Sequence, residues 1–151
     1  MHEQLIFKIN NEVNQIEKLL ATHELLIKLC KAKTPDSTEI AAVGTILHSF
    51  YNGIEKIFLF IAKDFDKEVP SGEKWHRNLI MQLNKKTESR NEILDEKVKN
   101  IVLNYLGFRH YFRHSYDFQL DWDLVKDNFL LLSTNWAEIK QSIQNFLNSI
   151  K

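Results

Sequence analysis

An all-α fold, an up-and-down bundle of about five helices, is predicted by three features of the sequence. Apolar residues recur at steps of three and four along most of the chain, strand-type alternation is scarce, and only four Gly and two Pro punctuate 151 residues. Those steps put apolar side chains on one face of a helix, so each segment has a side to bury. With 44% hydrophobic residues the chain can build one substantial core, and its length favours a single domain over residues 1–151.

In the first segment Ile6, Ile9, Val13, Ile16, Leu20, His23, Ile27 and Cys30 form one seam on a helix of roughly eight turns. His23 reads either as a buried ligand or as a core-edge imidazole bonded to a neighbour. Cys30 reads as packing, because local sequence places no activating His or cation beside it. Thr34, Pro35 and Asp36 end this helix, and Asp36 with Glu39 has the spacing of a capping box for the next. The short turn predicts an antiparallel return.

The second helix carries Ile40, Val43, Leu47, Phe50, Ile54, Ile57, Ile61 and Phe65. Ala41, Ala42, Phe58, Leu59, Phe60 and Ala62 widen that seam almost all round, which predicts the most buried helix. It is not a membrane span, because His48, Asn52, Glu55 and Lys56 interrupt the roughly 20 apolar residues that crossing requires. His48, Asn52 and Glu55 form a polar line at i, i+4 and i+7. A buried carboxylate needs a partner. Either Glu55 pairs structurally with a Lys or Arg, or it meets Arg109 and Arg113 and orients them.

Residues 64–74 read as a loop with a turn at 69–72. A shorter third helix follows, with Trp75, Leu79, Ile80 and Leu83 facing in, and with His76 and Arg77 either solvated or part of a basic rim. After a polar loop at 85–90, Ser89 and Glu92 have capping-box spacing for the fourth helix. Its seam of Leu94, Val98, Ile101, Tyr105, Phe108 and Phe112 runs through Gly107. That glycine weakens a helix by about 1 kcal/mol relative to Ala, enough to bend or loosen its end. Residues 117–120 form a connection, and Asp121 is an N-cap candidate for a last helix carrying Trp122, Val125, Phe129, Leu132, Trp136, Ile139, Ile143, Phe146 and Ile150. The first and last seams either pair within one chain or build a dimer face.

Twenty basic and twenty acidic residues give no global field to gather nucleic acid or anionic membrane, so any such contact needs a local patch. A single cysteine excludes an internal disulfide framework and a Cys-based structural zinc site, which fits a reducing compartment. The first four residues, Met1 to Gln4, carry no basic, apolar signal segment, so cytoplasm is the expected location.

The local patch is Arg109-His110-Tyr111-Phe112-Arg113-His114-Ser115-Tyr116. On a helix turning about 100° per residue, with Arg109 at zero, Arg113 falls near 40°, His110 near 100°, His114 near 140° and Tyr116 near −20°. Two guanidiniums and two imidazoles then share one arc. Guanidinium grips phosphate bidentately, and imidazole moves protons near neutral pH. Three readings follow from the residues. One is a charged helix end that caps a dipole or pairs with Asp117, Asp121 and Asp123. Another is a metal site at His110 and His114, which lacks a third ligand and is flanked by cations that would repel the metal. The last is RNA cleavage, with His moving protons and Arg stabilising the charge that develops on phosphate.

Arg109, His114 and Tyr116 spell R-x4-H-x-Y, with the polar His110 directly after the Arg. This resembles the motif of HepT-like toxins of the HEPN superfamily. Tyr51 to Glu55 and Gly72 to His76 resemble one branch of that family too, so the likeness covers nearly the full chain. It implies a helical bundle that forms a homodimer or higher oligomer and sets two copies of the motif at a shared cleft. It further implies a metal-independent endoribonuclease with no cofactor, acting on RNA. Carried over, Arg109 and His114 are catalytic, His110 supports them, and Tyr116 is the motif tyrosine. The implied partner is a nucleotidyltransferase antitoxin that silences the toxin by transferring AMP to that tyrosine. Arg113 is additional to the motif and either widens phosphate binding or contacts the partner. The alternative is a non-catalytic HEPN-like module that presents substrate or itself to a nucleotidyltransferase.

Overall fold

The structure, a computed structural model, describes residues 1–116 and 119–151. Its elements are α1 (Glu3–Thr22), α2 (Glu24–Ala32), α3 (Ser37–Phe60) running into a π-helical turn (Ile61–Asp66), α4 (Trp75–Leu83), α5 (Glu96–Arg113), α6 (Trp122–Leu130) and α7 (Leu132–Ser149). The described residues contain helices and no strand, as the periodicity predicts. Seven helices stand where about five were expected, because the first and last each break once. At His23 (φ −109°, ψ 17°) and Leu131 (φ −97°, ψ 10°) one residue leaves helical geometry. The backbone bonds across each break survive, with His23 N donating to Leu19 O at 3.3 Å and Leu131 N to Asp127 O at 3.0 Å. The apolar rhythm passes through both breaks almost in register.

α3 is the central helix. Val43, Leu47, Phe50, Tyr51, Ile54, Ile57 and Phe58 are fully buried along it. α1, α4, α5 and α6 all pack against it. The predicted capping box forms at its start, where Asp36 accepts from Glu39 N at 2.8 Å and Asp36 N donates to Glu39 at 2.9 Å. The seams of α1 and α7 close within the chain. Glu17 of α1 accepts from Trp136 Nε1 at 3.2 Å and from Lys140 Nζ at 2.9 Å on α7. Lys140, followed by Trp136, holds that carboxyl below its ordinary range, although burial opposes them.

The predicted capping box at Ser89 and Glu92 does not open α5. Asp95 is the cap instead, accepting from Val98 N at 2.9 Å. The residues before it are organised by Arg90, which is buried. Its guanidinium forks onto Asp66 at 2.8 and 2.7 Å and also donates to the carbonyls of Lys85, Asn91 and Gln82. A polar-looking loop is thereby pinned to the end of the π-helical turn. α5 then runs through Gly107 without interruption and ends at Arg113. Gly44 of α3 lets that end approach closely, since a Cβ there would meet Leu120 at 2.5 Å and the Phe112 ring at 2.9 Å. The expected connection at 117–120 includes two residues outside those described. Among the described residues no helix is long and apolar enough to cross a membrane.

Candidate functional site

The motif occupies the last turn of α5 and the residues just beyond it. Arg109, His110 and Arg113 are helical, and His114 is the C-cap, with φ −109° and ψ 13°. His114 N donates to Tyr111 O at 3.2 Å and Ser115 N to Phe112 O at 3.4 Å, tightening the final turn. Basic side chains suit this position because the carbonyl end of a helix carries partial negative charge. The Tyr111 hydroxyl accepts from Asp121 N at 2.9 Å and so ties the start of α6 back to α5.

The two faces of the arc differ in environment. His110 and His114 are exposed, with ring centroids 4.5 Å apart. Arg113 is exposed as well, whereas Arg109 is half-buried towards α3 and its Nε is buried without a hydrogen-bond partner. Tyr116 is 70% exposed, two residues past His114. Among the described residues no ion pair joins Arg109, Arg113, His110 or His114 to Asp121 or Asp123; Asp121 instead caps α6, accepting from Asp123 N at 3.0 Å. Asp117 lies outside the described residues. Nor do three His, Cys, Asp or Glu come together there as a metal-binding group.

Beneath Arg109 lies a stripe of α3. His48 packs its ring 5.1 Å from Phe112, and its Nδ1 is buried without a partner. Burial first, then the charges of Arg109 and Arg113, push the His48 imidazole below its ordinary value. One turn on, the Tyr51 hydroxyl is buried and closes no well-formed hydrogen bond, although the Glu55 carboxylate and Arg109 both lie near enough to act on it. Burial, then Glu55, push the phenol far above its ordinary value, so it stays protonated.

Glu55 meets neither Arg109 nor Arg113, and it pairs with no Lys or other Arg in the described residues. Its Oε2 lies 2.6 Å from Nδ1 of His76, whose ring stands 3.7 Å from that of Trp75. Both open readings of Glu55 are therefore corrected, and His76 is half-buried rather than solvated. Asn52, placed by spacing on the polar line, is exposed, and Tyr51 takes its place. Tyr51 was missed because a tyrosine amid apolar residues reads as core. The signal available was its place at i+3 from His48 and i−4 from Glu55.

Other candidates lie apart. Cys30 is buried, and burial followed by Glu39 pushes its thiol up, so it is packing. A cleft of about 790 Å³ between His2, the loop at 86–93 and the end of α7 includes no motif residue. A family model described as HepT-like protein matches residues 42–150, a stretch that starts in α3 and takes in His48, Tyr51, Glu55, His76 and the whole motif. No curated protein and no solved structure matches the chain.

Proposed function

The chain belongs to the HepT-like family of the HEPN superfamily, and from that premise we propose that it is the toxin of a toxin–antitoxin pair, a metal-independent endoribonuclease acting in the cytoplasm. The carrying observation is the arrangement at the end of α5: two exposed imidazoles 4.5 Å apart, with Arg109 turned inward beside them. One imidazole takes the proton from a ribose 2′-hydroxyl, whose oxygen attacks phosphorus. The bond to the 5′-oxygen breaks, and the other imidazole protonates that leaving oxygen. The products are a 2′,3′-cyclic phosphate and a free 5′-hydroxyl. Arg109 and Arg113 stabilise the charge gathering on the phosphate.

Arg109 and His114 are separated by about 140° around the helix, which supports a site completed by a second copy. Two motif copies at a shared cleft bring an inward Arg of one chain and outward imidazoles of the other to one phosphate. Tyr116 is the acceptor of the silencing modification: its phenol oxygen attacks the α-phosphate of ATP on a nucleotidyltransferase partner, and pyrophosphate leaves. Its 70% exposure, two residues past His114, supports that role. Attached AMP adds negative charge and bulk beside the arginines and competes with RNA phosphate.

The test is intact mass of the chain expressed with and without the neighbouring nucleotidyltransferase, growth on induction of each form, and cleavage of RNA in the presence of a chelator. The expected result is a mass gain in AMP units on Tyr116, toxicity and cleavage only in the unmodified form, and neither in His114→Ala. A His114→Ala variant as toxic as the parent overturns the ribonuclease reading and leaves the binding module.

A further inference from the structure

Glu55 is a buried carboxylate, and such a group is costly to bury unless it is bonded. Its partner is a ring at the surface. Oε2 lies 2.6 Å from Nδ1 of His76; a carboxylate has no proton to give, so Nδ1 carries one and the imidazole is fixed in tautomer and orientation. Trp75 stands against the same ring at 3.7 Å and 30° from parallel, which joins the two side chains into one pair. Trp75 is half-buried, His76 keeps 19% of its side chain exposed, and His76 Nε2 has no hydrogen-bond partner among the described residues. Lys74 and Arg77 flank the pair and are exposed. Among the described residues neither forms an ion pair, and the exposed Glu73 engages neither of them.

This segment lies close to the motif. The end of α5 meets α3 at His48, whose ring is 5.1 Å from that of Phe112. Glu55 follows at i+7 on the same face, about two turns and roughly 10 Å along the helix. α4 packs on α5 as well as on α3. We propose that Lys74, Trp75, His76 and Arg77 form a subsite for a nucleotide of single-stranded RNA beside the cleaved bond, its base on the Trp75–His76 pair and its phosphate on Lys74 and Arg77. Every base has a flat π-face and every phosphate a charge, so rings set between cations hold a single strand with little regard to sequence. The Glu55 bond keeps the imidazole from swinging out of the stack. On a chain whose charges cancel, RNA needs a local patch of this kind. The subsite rests on the ribonuclease reading for its ligand and extends that reading to where the strand runs beyond the cleaved bond.

The experiment measures binding apart from cleavage. A short, unstructured, fluorescein-labelled RNA of mixed sequence is titrated with the full chain carrying His114→Ala, and an abasic nucleotide is moved through the RNA one position at a time. One position is expected to weaken binding about tenfold when abasic, and that effect is expected to fall below about twofold in Trp75→Leu, which keeps an apolar side chain but removes the ring. Lys74→Ala with Arg77→Ala is expected to weaken binding of every RNA in the series and to flatten its salt dependence. If no abasic effect depends on Trp75 and the Lys74/Arg77 double variant binds within twofold of its parent, the subsite is overturned, while cleavage by the chain with His114 intact leaves the ribonuclease reading standing. Should Trp75→Leu lose its cooperative melt, the double variant, changed only at exposed side chains, decides alone. Unchanged RNA affinity together with lost binding to the neighbouring nucleotidyltransferase makes this face a protein interface and overturns the subsite. A chain that neither binds nor cleaves RNA overturns both.

Discussion

Phe112 lies against the backbone of Gly44, so closely that a Cβ built on the glycine would stand 2.9 Å from its ring. The contact sets the end of α5, and with it Arg109, at a fixed distance from His48 on α3. Gly44→Ala gains helix propensity of about 1 kcal/mol but forces apart a ring that cannot fold away, which costs about 1–3 kcal/mol. A net loss of stability by urea denaturation is expected. Gly107, exposed on α5 with nothing within 4 Å of a built Cβ, has no such debt, and Gly107→Ala is expected to raise stability by about 1 kcal/mol. Equal effects of the two substitutions would show that the Gly44 contact constrains nothing.

Two buried tyrosines on facing helices make a second contrast. The Tyr105 hydroxyl donates to Asn128 O at 2.7 Å and accepts from Asn135 at 2.9 Å, binding α5 to α6 and α7. Tyr105→Phe leaves those partners unmet and is expected to cost about 1–2 kcal/mol. Tyr51→Phe deletes a hydroxyl that closes no well-formed bond and is expected to change global stability by less than about 0.5 kcal/mol. Denaturation midpoints of the two variants provide the comparison. A Tyr51 loss as large as that of Tyr105 would show that the Tyr51 hydroxyl is bonded in the folded chain and would remove the contrast between them.

Arg90 and Asp66 are 3% and 5% exposed, with the guanidinium forked on the carboxylate. Removing one partner of a buried pair strands the other charge, at about 3–5 kcal/mol. Arg90→Ala is therefore expected to be among the most destabilising single changes, measurable as a large drop in Tm. Arg90→Ala with Asp66→Ala is expected to recover part of it, since the stranded carboxylate is gone. A double variant less stable than Arg90→Ala would contradict that account.

These cases mark what sequence periodicity conveys and what it does not. The apolar seams gave the all-α class, the central burial of α3 and the cap at Asp36, because each is local and repeats. The breaks at His23 and Leu131 were hidden, because one relaxed residue shifts neither the rhythm nor the backbone bonds that span it. Ser89 and Glu92 match a cap by spacing, yet buried Arg90 draws the chain between them onto Asp66 and defers the helix start to Asp95. The motif was legible as a pattern, while its depth was not. Arg109 faces inward and His114 outward because α3 lies on one side only, and the Glu55–His76 pair joins residues 21 apart on different helices.

His48 supplies a pH dependence. Burial, then Arg109, then Arg113, hold its imidazole below the ordinary 6.5 in the folded chain. The unfolded chain therefore takes up the proton first as pH falls. Stability associated with neutral His48 is fully present above about pH 6.5, falls as pH drops below it, and levels off once the folded group is protonated too. His48→Asn lacks this group, so the stability of the parent relative to the variant is expected to decline from pH 7.5 to pH 5, followed by denaturant melts at each pH. Parallel curves, or a parent that gains on the variant at low pH, would sink the argument. Because the arginine charges contribute, inorganic phosphate bound at Arg109 and Arg113 should relieve their repulsion and move the decline to lower stability cost. NMR titration of the His48 ring with and without phosphate is expected to show its pKa rising when phosphate is bound.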